Sequence, residues 1–542
     1  MLDAVVIGSG PNGLVAANLL ADAGWSVEVL EAQSEPGGAV RSDRGVHPDY
    51  VNDMFSAFYP LAAASPIMQS LELHADGLRW SHAPSVLAHP LPDGRCAVLE
   101  RSKEATSEGL DAFAAGDGAA WSRMCGTWDR ISGDMLNALF TPFPPVKAAA
   151  RLALRLRGPA GLPLARSLLL PARRLGEEEF QGDAGRLLLA GNALHADLAP
   201  EAAGSGGFGW LLCMLGQHYG FPVPAGGAGG LSAALVRRLE RHGGIVRCGE
   251  TVREVVVRGG RAVGVRTAKG ETIPVRHCVL ADVSAPNLYG GLVDERHLPS
   301  TLLESMHRFQ WDFATFKIDW ALGGHIPWNT EAAAGAGTVH LSDSVDELTR
   351  FAAQLASGTV PDRPFTLLGQ MTTADASRSP RGTESAWAYT HVPQTIVGDA
   401  GQDGISGAWD ERDQEAMADR VERHVEHYAP GFRSLIRARR ILAPPHLQAL
   451  DANLYNGAIN GGTAGLHQQL VFRPVPGTGR PETPVRALYL ASASAHPGGG
   501  VHGACGANAA RAALRSTTGA ARALTSAQRL LAGRLRTQQP HH

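Results

Sequence analysis

Cysteine is scarce in this chain. Six residues (Cys96, Cys125, Cys213, Cys248, Cys278 and Cys505) are scattered over 542 positions, with no Cys-x-x-Cys pair. That distribution argues against a disulfide framework, a zinc ribbon or a redox dithiol. No stretch approaches the roughly 18 consecutive apolar residues of a membrane-crossing helix. MLDAVVIGSGPNG at the N-terminus lacks the basic flank and cleavage region of a signal peptide. A cytoplasmic location is expected, peripheral to a membrane at most. Charge of one sign is lacking too. The net charge of −3 gives no global attraction to nucleic acid. Lysine is rare, 4 against 45 arginines, a usage read as genomic base composition. No metal-ligand spacing, Ser-His-Asp set or carboxylate pair stands out, so no metal site is expected.

Apolar residues make up 44% of the chain, enough for a large core. Its length predicts two or three domains. The clearest segment is AVVIGSGPNGLVAANLLADAGWSVEVLEA. Ala4 to Ile7 is a short β-branched run, as a buried parallel strand should be. Gly8, Gly10 and Gly13 follow as G-x-G-x-x-G, then a helical pattern closed by Gly24, then a second strand ending at Glu31. Gly8 permits the tight turn, Gly10 lets a pyrophosphate approach, and Gly13 lets the helix pack on the strand. The helix start offers N–H groups to an anion. A carboxylate at Glu31 suits ribose hydroxyls and disfavours a 2′-phosphate. This much fits NAD or FAD.

The continuation, Glu31-Ala-Gln-Ser-Glu-Pro-Gly-Gly-Ala-Val-Arg-Ser, places a close turn at Gly37 and Gly38. Arg41 stands where a guanidinium can pair with a diphosphate. Further on, GGAGGL opens an amphipathic helix ending at His242-Gly-Gly. Strands are expected at Ile245 to Cys248, Val252 to Arg258 and Ala262 to Thr267, with Arg258-Gly-Gly-Arg as a hairpin turn. Near the C-terminus, Ala487 to Ala491 reads as a strand, Ser492 to Gly503 as a glycine loop, and the residues from Gly503 onward as a helix. Such a loop lets backbone lie flat against a ring system, with helix N–H groups facing developing negative charge.

These motifs resemble the amine oxidase and phytoene desaturase branch of the glutathione-reductase-like flavoproteins. LYLASASAHPGGGVHGACGANAARAAL and INGGT with Arg473-Pro474 are similar to the C-terminal signature of phytoene-dehydrogenase-related oxidoreductases. FKIDWAL and SRSPRGTESAWAYTHVP resemble the group's substrate-domain strands. The likeness spans nearly the whole chain and is weakest over residues 100 to 200. It implies an α/β fold: a glutathione-reductase-like Rossmann FAD domain with an inserted α+β substrate domain and a helical lid. It also implies FAD, held by Gly8, Gly10, Gly13, Glu31, Gly38, Arg41, Val252, Gly500 and Val501. The FAD domain is then discontinuous, over 1–80, 225–300 and 451–515. The lid occupies 81–224, the substrate domain 301–450, and a basic tail 516–542.

The expected chemistry is oxidation or desaturation of an apolar, lipid-like or isoprenoid-like substrate, with flavin as acceptor. The loop reads Pro-Gly-Gly-Gly-Val-His-Gly, where carotenoid desaturases have Pro-Gly-x-Gly-x-Pro-Gly, so phytoene itself is not implied. Amine oxidation, a flavin-dependent isomerisation, and a flavin-bound interaction protein are the alternatives. His502, His496 and His467 are the candidate catalytic bases. Phe316, Ile318, Trp320 and Leu322 alternate with Lys317, Asp319 and Ala321, the period of a half-buried strand. Trp387, Tyr389 and His391 share a strand face and read as core or as a substrate wall. Val146 to Gly176 holds seven basic residues and no acid among many Leu and Ala. It reads as a peripheral membrane contact or as a solvated lid helix.

Overall fold

The computed structural model describes residues 1–155 and 161–517. Part of the basic segment (156–160) and nearly all of the tail lie outside the described residues. The first segment supplies β1 (Leu2–Ile7), α1 (Pro11–Asp22) and β2 (Val27–Leu30). Strands β3 (Ser85–Pro90) and β4 (Cys96–Leu99) precede a helical region. That region runs through α2 (Asp117–Leu139), α3 (Val146–Arg155), α4 (Gly161–Leu169), α5 (Ala172–Glu179), α6 (Asp183–Leu194) and α7 (Ser205–Tyr219). Then come α8 (Gly229–Arg241), β5 (Ile245–Arg247), β6 (Val252–Arg258), β7 (Arg261–Thr267) and β8 (Thr272–Ala281). Strands β9 (Ala314–Leu322), β10 (Ala336–Leu341), β11 (Thr366–Gln370), β12 (Glu384–Val392) and β13 (Ile436–Leu442) follow. The chain returns with β14 (Leu488–Leu490) and α9 (Ala504–Thr517).

Two seven-stranded sheets organise these elements. The first has the order β6-β7-β8-β1-β2-β5, with β14 also on β8. Its strands come from three separate stretches of chain. β8 joins them: Thr272 to Pro274 pair antiparallel with β7, and Val275 to Ala281 pair parallel with β1. Its last three residues also pair parallel with β14. The apolar runs of β1 and β2 are buried because helices cover the parallel part of this sheet. The Arg258-Gly-Gly-Arg turn is a hairpin, with Gly259 and Gly260 both at positive φ.

The second sheet has the order β13-β9-β12-β11-β10-β3-β4. Two findings differ from the sequence reading. Residues 81–224 were expected to be helical, yet β3 leaves that region to pair with β10, and β4 pairs with β3 at the sheet edge. And β9 is buried along both faces, where alternation predicted one wet face. Its polar residues are buried because they find partners. Lys317 and Asp319 form an ion pair, Lys317 Nζ donates to Asp53 O at 2.9 Å, and Arg440 binds Asp319 and Asp43. Arg378, fully buried, likewise bridges Asp53 and Asp375 at 3.0 and 2.9 Å. These charges fix the 43–53 stretch to the second sheet, and removing one partner would strand the other in a low dielectric.

Close backbone contact sets the position of α9. A Cβ on Gly506 would lie 1.8 Å from Asn12 O, inside α1. A Cβ on Gly13 would lie 2.2 Å from Gly8 O. Gly506→Ala must therefore separate α9 from α1. It is expected to cost more than about 3 kcal/mol, the scale of overpacking in a filled core. Gly133→Ala, in α2 with open space at the added carbon, is expected to gain about 0.5–1 kcal/mol. Thermal denaturation of the two variants checks both signs.

Candidate active site

A cavity of about 670 Å³ runs from the glycine turn before α1 to the glycine loop before α9. Gly10, Pro11 and Asn12 line one end, and Gly499, Gly500, Val501 and His502 the other. Glu31 stands behind the turn before α1, outside the cavity lining. Its Oε2 accepts Ser9 N at 2.8 Å and Ser9 Oγ at 2.7 Å, and its Oε1 accepts Gln33 N at 2.9 Å. The acid at the end of β2 thus holds the turn that carries Gly8 and Gly10. Val252 starts β6 just beyond the bonds from Glu250 N to Glu31 O and from Gly249 N to Gln33 O. Gly38, at φ +53, abuts Gly10 so closely that a Cβ would sit 3.0 Å from Gly10 Cα. Arg41 is buried. Its Nε donates to Gly38 O and its Nη2 to Leu450 O, each at 2.9 Å, and its guanidinium lies 5.3 Å from the Phe55 ring centre.

The three histidines separate. His502 lines the cavity, and its Nδ1 accepts the Ala504 amide at 3.0 Å, capping α9. Its backbone carbonyl accepts Ser65 Oγ at 2.7 Å. Burial pushes its pKa down to about 4, against backbone hydrogen bonds that favour the charge. His496 also lines the cavity, bonds Thr141 O at 3.0 Å, and is likewise lowered by burial to about 4. Both are neutral near pH 7 and weak as bases. His467 is an exposed residue bonded to Gln310 Oε1 at 2.9 Å, outside the cavity lining. Four residues after the INGGT turn, it thus stands apart from the other two.

The upstream signature has a structural reason. Arg473 is fully buried and donates to Ala493 O, Asn460 O and Thr463 O at 2.7, 2.8 and 2.9 Å. Asp312 accepts the amides of Ile459, Asn460 and Gly462 at 2.7, 2.8 and 3.1 Å. Together they fix the 459–463 turn, with Asn460 and Gly461 in the cavity wall.

Sequence reasoning missed several residues. Asp282, the first residue after β8, lines the cavity and accepts Gly13 N at 2.8 Å. A Cβ on Gly10 would meet its Oδ2 at 2.7 Å. Burial raises its pKa to about 8, against the Gly13 bond, with Asp451 and Glu31 adding to the rise. Asp451, also in the wall, is raised by burial to about 6. An acid directly after an apolar strand was the available signal for Asp282. Trp387 and Tyr389 do form a wall. Their rings stack at 5.8 Å, and Phe58 lies 5.9 Å from Trp387. His391 instead pairs with Asp197 at 2.7 Å.

Against known proteins, residues 12–315 match the model of the flavin containing amine oxidoreductases. The chain belongs to that family. Pyridine nucleotide-disulfide oxidoreductase domain-containing protein 2 of Mus musculus is 30% identical, over 95% of this chain and 93% of the mouse protein. Hydroxyneurosporene desaturase of Cereibacter sphaeroides is 27% identical, over 92% and 94%. A crystal structure of an oxidoreductase from Methanosarcina mazei matches with a TM-score of 0.62 at 14% identity, over 94% of this chain and 99% of that one. This member of the family is an FAD-dependent oxidoreductase of mixed α/β fold. Its residues fit the cofactor. Gly10 leaves the turn open beside Asp282, and Asn12 Oδ1 is buried with no partner among the described residues. No described helix is long and apolar enough to cross a membrane.

An acid with a raised native pKa binds its proton more tightly folded than unfolded. Its burial is tolerated below the ordinary value of 3.8, and stability is lost as pH rises from there through about 8. Melting temperature in Asp282→Asn is therefore expected to fall less over that range than in the parent. Parallel pH profiles by differential scanning fluorimetry would contradict this.

Proposed function

We propose that this enzyme dehydrogenates an apolar, lipid-like or isoprenoid-like substrate. In this reading 1–80, 225–300 and 451–515 form a glutathione-reductase-like FAD domain. The first sheet supports it, being built from those three stretches. The region 301–450 is the inserted substrate domain and 81–224 the lid. Gly8, Gly10, Gly13, Glu31, Gly38, Arg41, Val252, Gly500 and Val501 would hold FAD, with Glu31 toward the ribose and Gly500 and Val501 toward the ring. FAD supplies the two-electron acceptor.

The observation that carries the reading is the cavity wall given by the lid. Leu139, Leu168, Phe208, Leu211 and Leu212 meet Leu61 there. Such a wall orients a hydrocarbon by shape and excludes water from the reacting carbon. Loss of a hydrogen as a proton then needs a carrier. His502 and His496 are too weakly basic to hold it near neutrality, so the reading assigns proton release to water. The stacked Trp387 and Tyr389 with Phe58 favour a second reading, amine oxidation, since aromatic faces attract ammonium groups.

A peripheral membrane contact fits the same wall. Val146, Leu162 and Leu169 are exposed, Leu162 at 81%. Gly204 donates to Leu169 O and abuts Leu466, which is both exposed and cavity-lining. Arg151 pairs with Asp134, and Arg166 and Arg174 with Glu178. The contact is then carried by apolar insertion more than by charge.

Anaerobic addition of polyenes, fatty alcohols and amines to the yellow holoenzyme separates the readings. Bleaching of the flavin band by the apolar compounds is expected, and bleaching by amines alone would overturn the proposal. Glu31→Ala is expected to weaken FAD retention about tenfold or more, the worth of a charged hydrogen bond. An unchanged dissociation constant contradicts its ribose role. Leu162→Glu with Leu169→Glu is expected to abolish co-sedimentation with liposomes; undiminished sedimentation would remove the membrane contact.

A further inference from the structure

The cavity-facing side of the second sheet carries polar groups that neither the cofactor motifs nor the apolar wall explains. Across neighbouring strands His340 stands opposite Leu367, Leu367 opposite Tyr389, and Tyr389 opposite Lys317. Residues directly opposite one another share a sheet face. Tyr389 and Lys317 line the cavity, so His340 lies on that side, one layer beneath. His195, just after α6, lines the cavity above it. The two rings meet at 2.6 Å between their Nε2 atoms. On the same wall Thr315 Oγ1 and Thr338 Oγ1 are buried without a partner among the described residues.

The bond between the imidazoles constrains their protons. Burial pushes both well below the usual histidine range, so both are neutral. One Nε2 must donate and the other accept. The donor ring then has a bare Nδ1, and the acceptor ring an Nδ1–H. His340 is fully buried, and its Nδ1 faces the backbone at Gly191, where even a Cβ would come within 2.6 Å. It has no partner among the described residues. A buried N–H without an acceptor is rarer than an unmet acceptor, so His340 carries its proton on Nε2. His195 is then the acceptor ring, and its Nδ1–H is a donor in the cavity wall. No bond from that nitrogen is made within the described residues.

We infer that the substrate bears an uncharged acceptor oxygen, such as a keto or hydroxyl group, which seats on His195 Nδ1–H, with His340 as the positioning residue. The inference rests on the reading of this cavity as the substrate site. It makes His195 a specificity determinant: a pure hydrocarbon leaves a desolvated donor unmet, and an oxygenated one satisfies it.

The test is binding of a long-chain alkane and its 2-keto derivative to the holoenzyme, followed by perturbation of flavin absorbance. The ketone is expected to bind about tenfold more tightly, the range set by a buried donor left unsatisfied. His195→Phe, with FAD content and circular dichroism checked, should bring the two ligands within about twofold of each other. His340→Gln, which still donates to His195, should keep the preference, and His340→Leu should lose it. Equal binding to the parent enzyme, or a preference that survives His195→Phe, overturns the inference. If His195→Phe fails to fold, the parent comparison and the His340 pair decide it. A ketone preference without bleaching by any apolar compound would sink the dehydrogenation reading and leave the His195 assignment standing.

Discussion

The backbone contact between Gly506 and Asn12 is the constraint on which the rest of the site depends. It presses the start of α9 against the start of α1 with no room for a side chain. Two glycine-rich turns, about 490 residues apart in sequence, thereby open onto one cavity. The pleated sheet beneath them enforces the same closure. β8 pairs with β1 on one side and with β14 on the other. An error in either pairing would misplace a whole loop, because a one-residue slip turns every side chain to the opposite face.

Buried charge secures the loops once they meet. Arg473 and Asp312 serve the same turn from opposite polarity, one saturating carbonyls and the other amides. Glu31 likewise accepts the amides of Ser9 and Gln33 behind the other glycine turn. Such groups are stable in a low dielectric only when every partner is present. They hold the backbone where glycine provides no side-chain packing. The second sheet is joined to this framework through Asp53, which Arg378 and Lys317 reach from two directions. Asp53 also accepts Ser42 Oγ and the Ala228 amide, each at 2.7 Å, which ties the second sheet to the turn before α8.

Much of the first sheet was legible in the chain. The apolar runs, the glycine turns, the acid at Glu31 and the 252–267 hairpin all rest on local rules of period and turn chemistry. Those rules operate within about ten residues. The basic helix segment was legible as amphipathic but not in its charge balance, since Asp134 and Glu178 come from neighbouring helices. β9 misled for a related reason. Its alternation is real, but Asp53, Arg440 and Asp43 make a dry site for its polar face. The histidines were legible in part. His502 and His496 line the cavity, His502 also capping a helix, while His467 turns to the surface because the turn that extends its motif faces outward.

Glycine spacing and a strand-end carboxylate impose local geometry, so the cofactor class and the two glycine turns at the cavity could be read from the chain alone. Tertiary structure alone decided which polar groups face the cavity. His195 and His340 are 145 residues apart and Asp282 lies 269 residues from Gly13. No local pattern marks such pairs, because what joins them is the crossing of strands from separate stretches of chain. Their protonation follows from burial, and burial is a property of the assembled core.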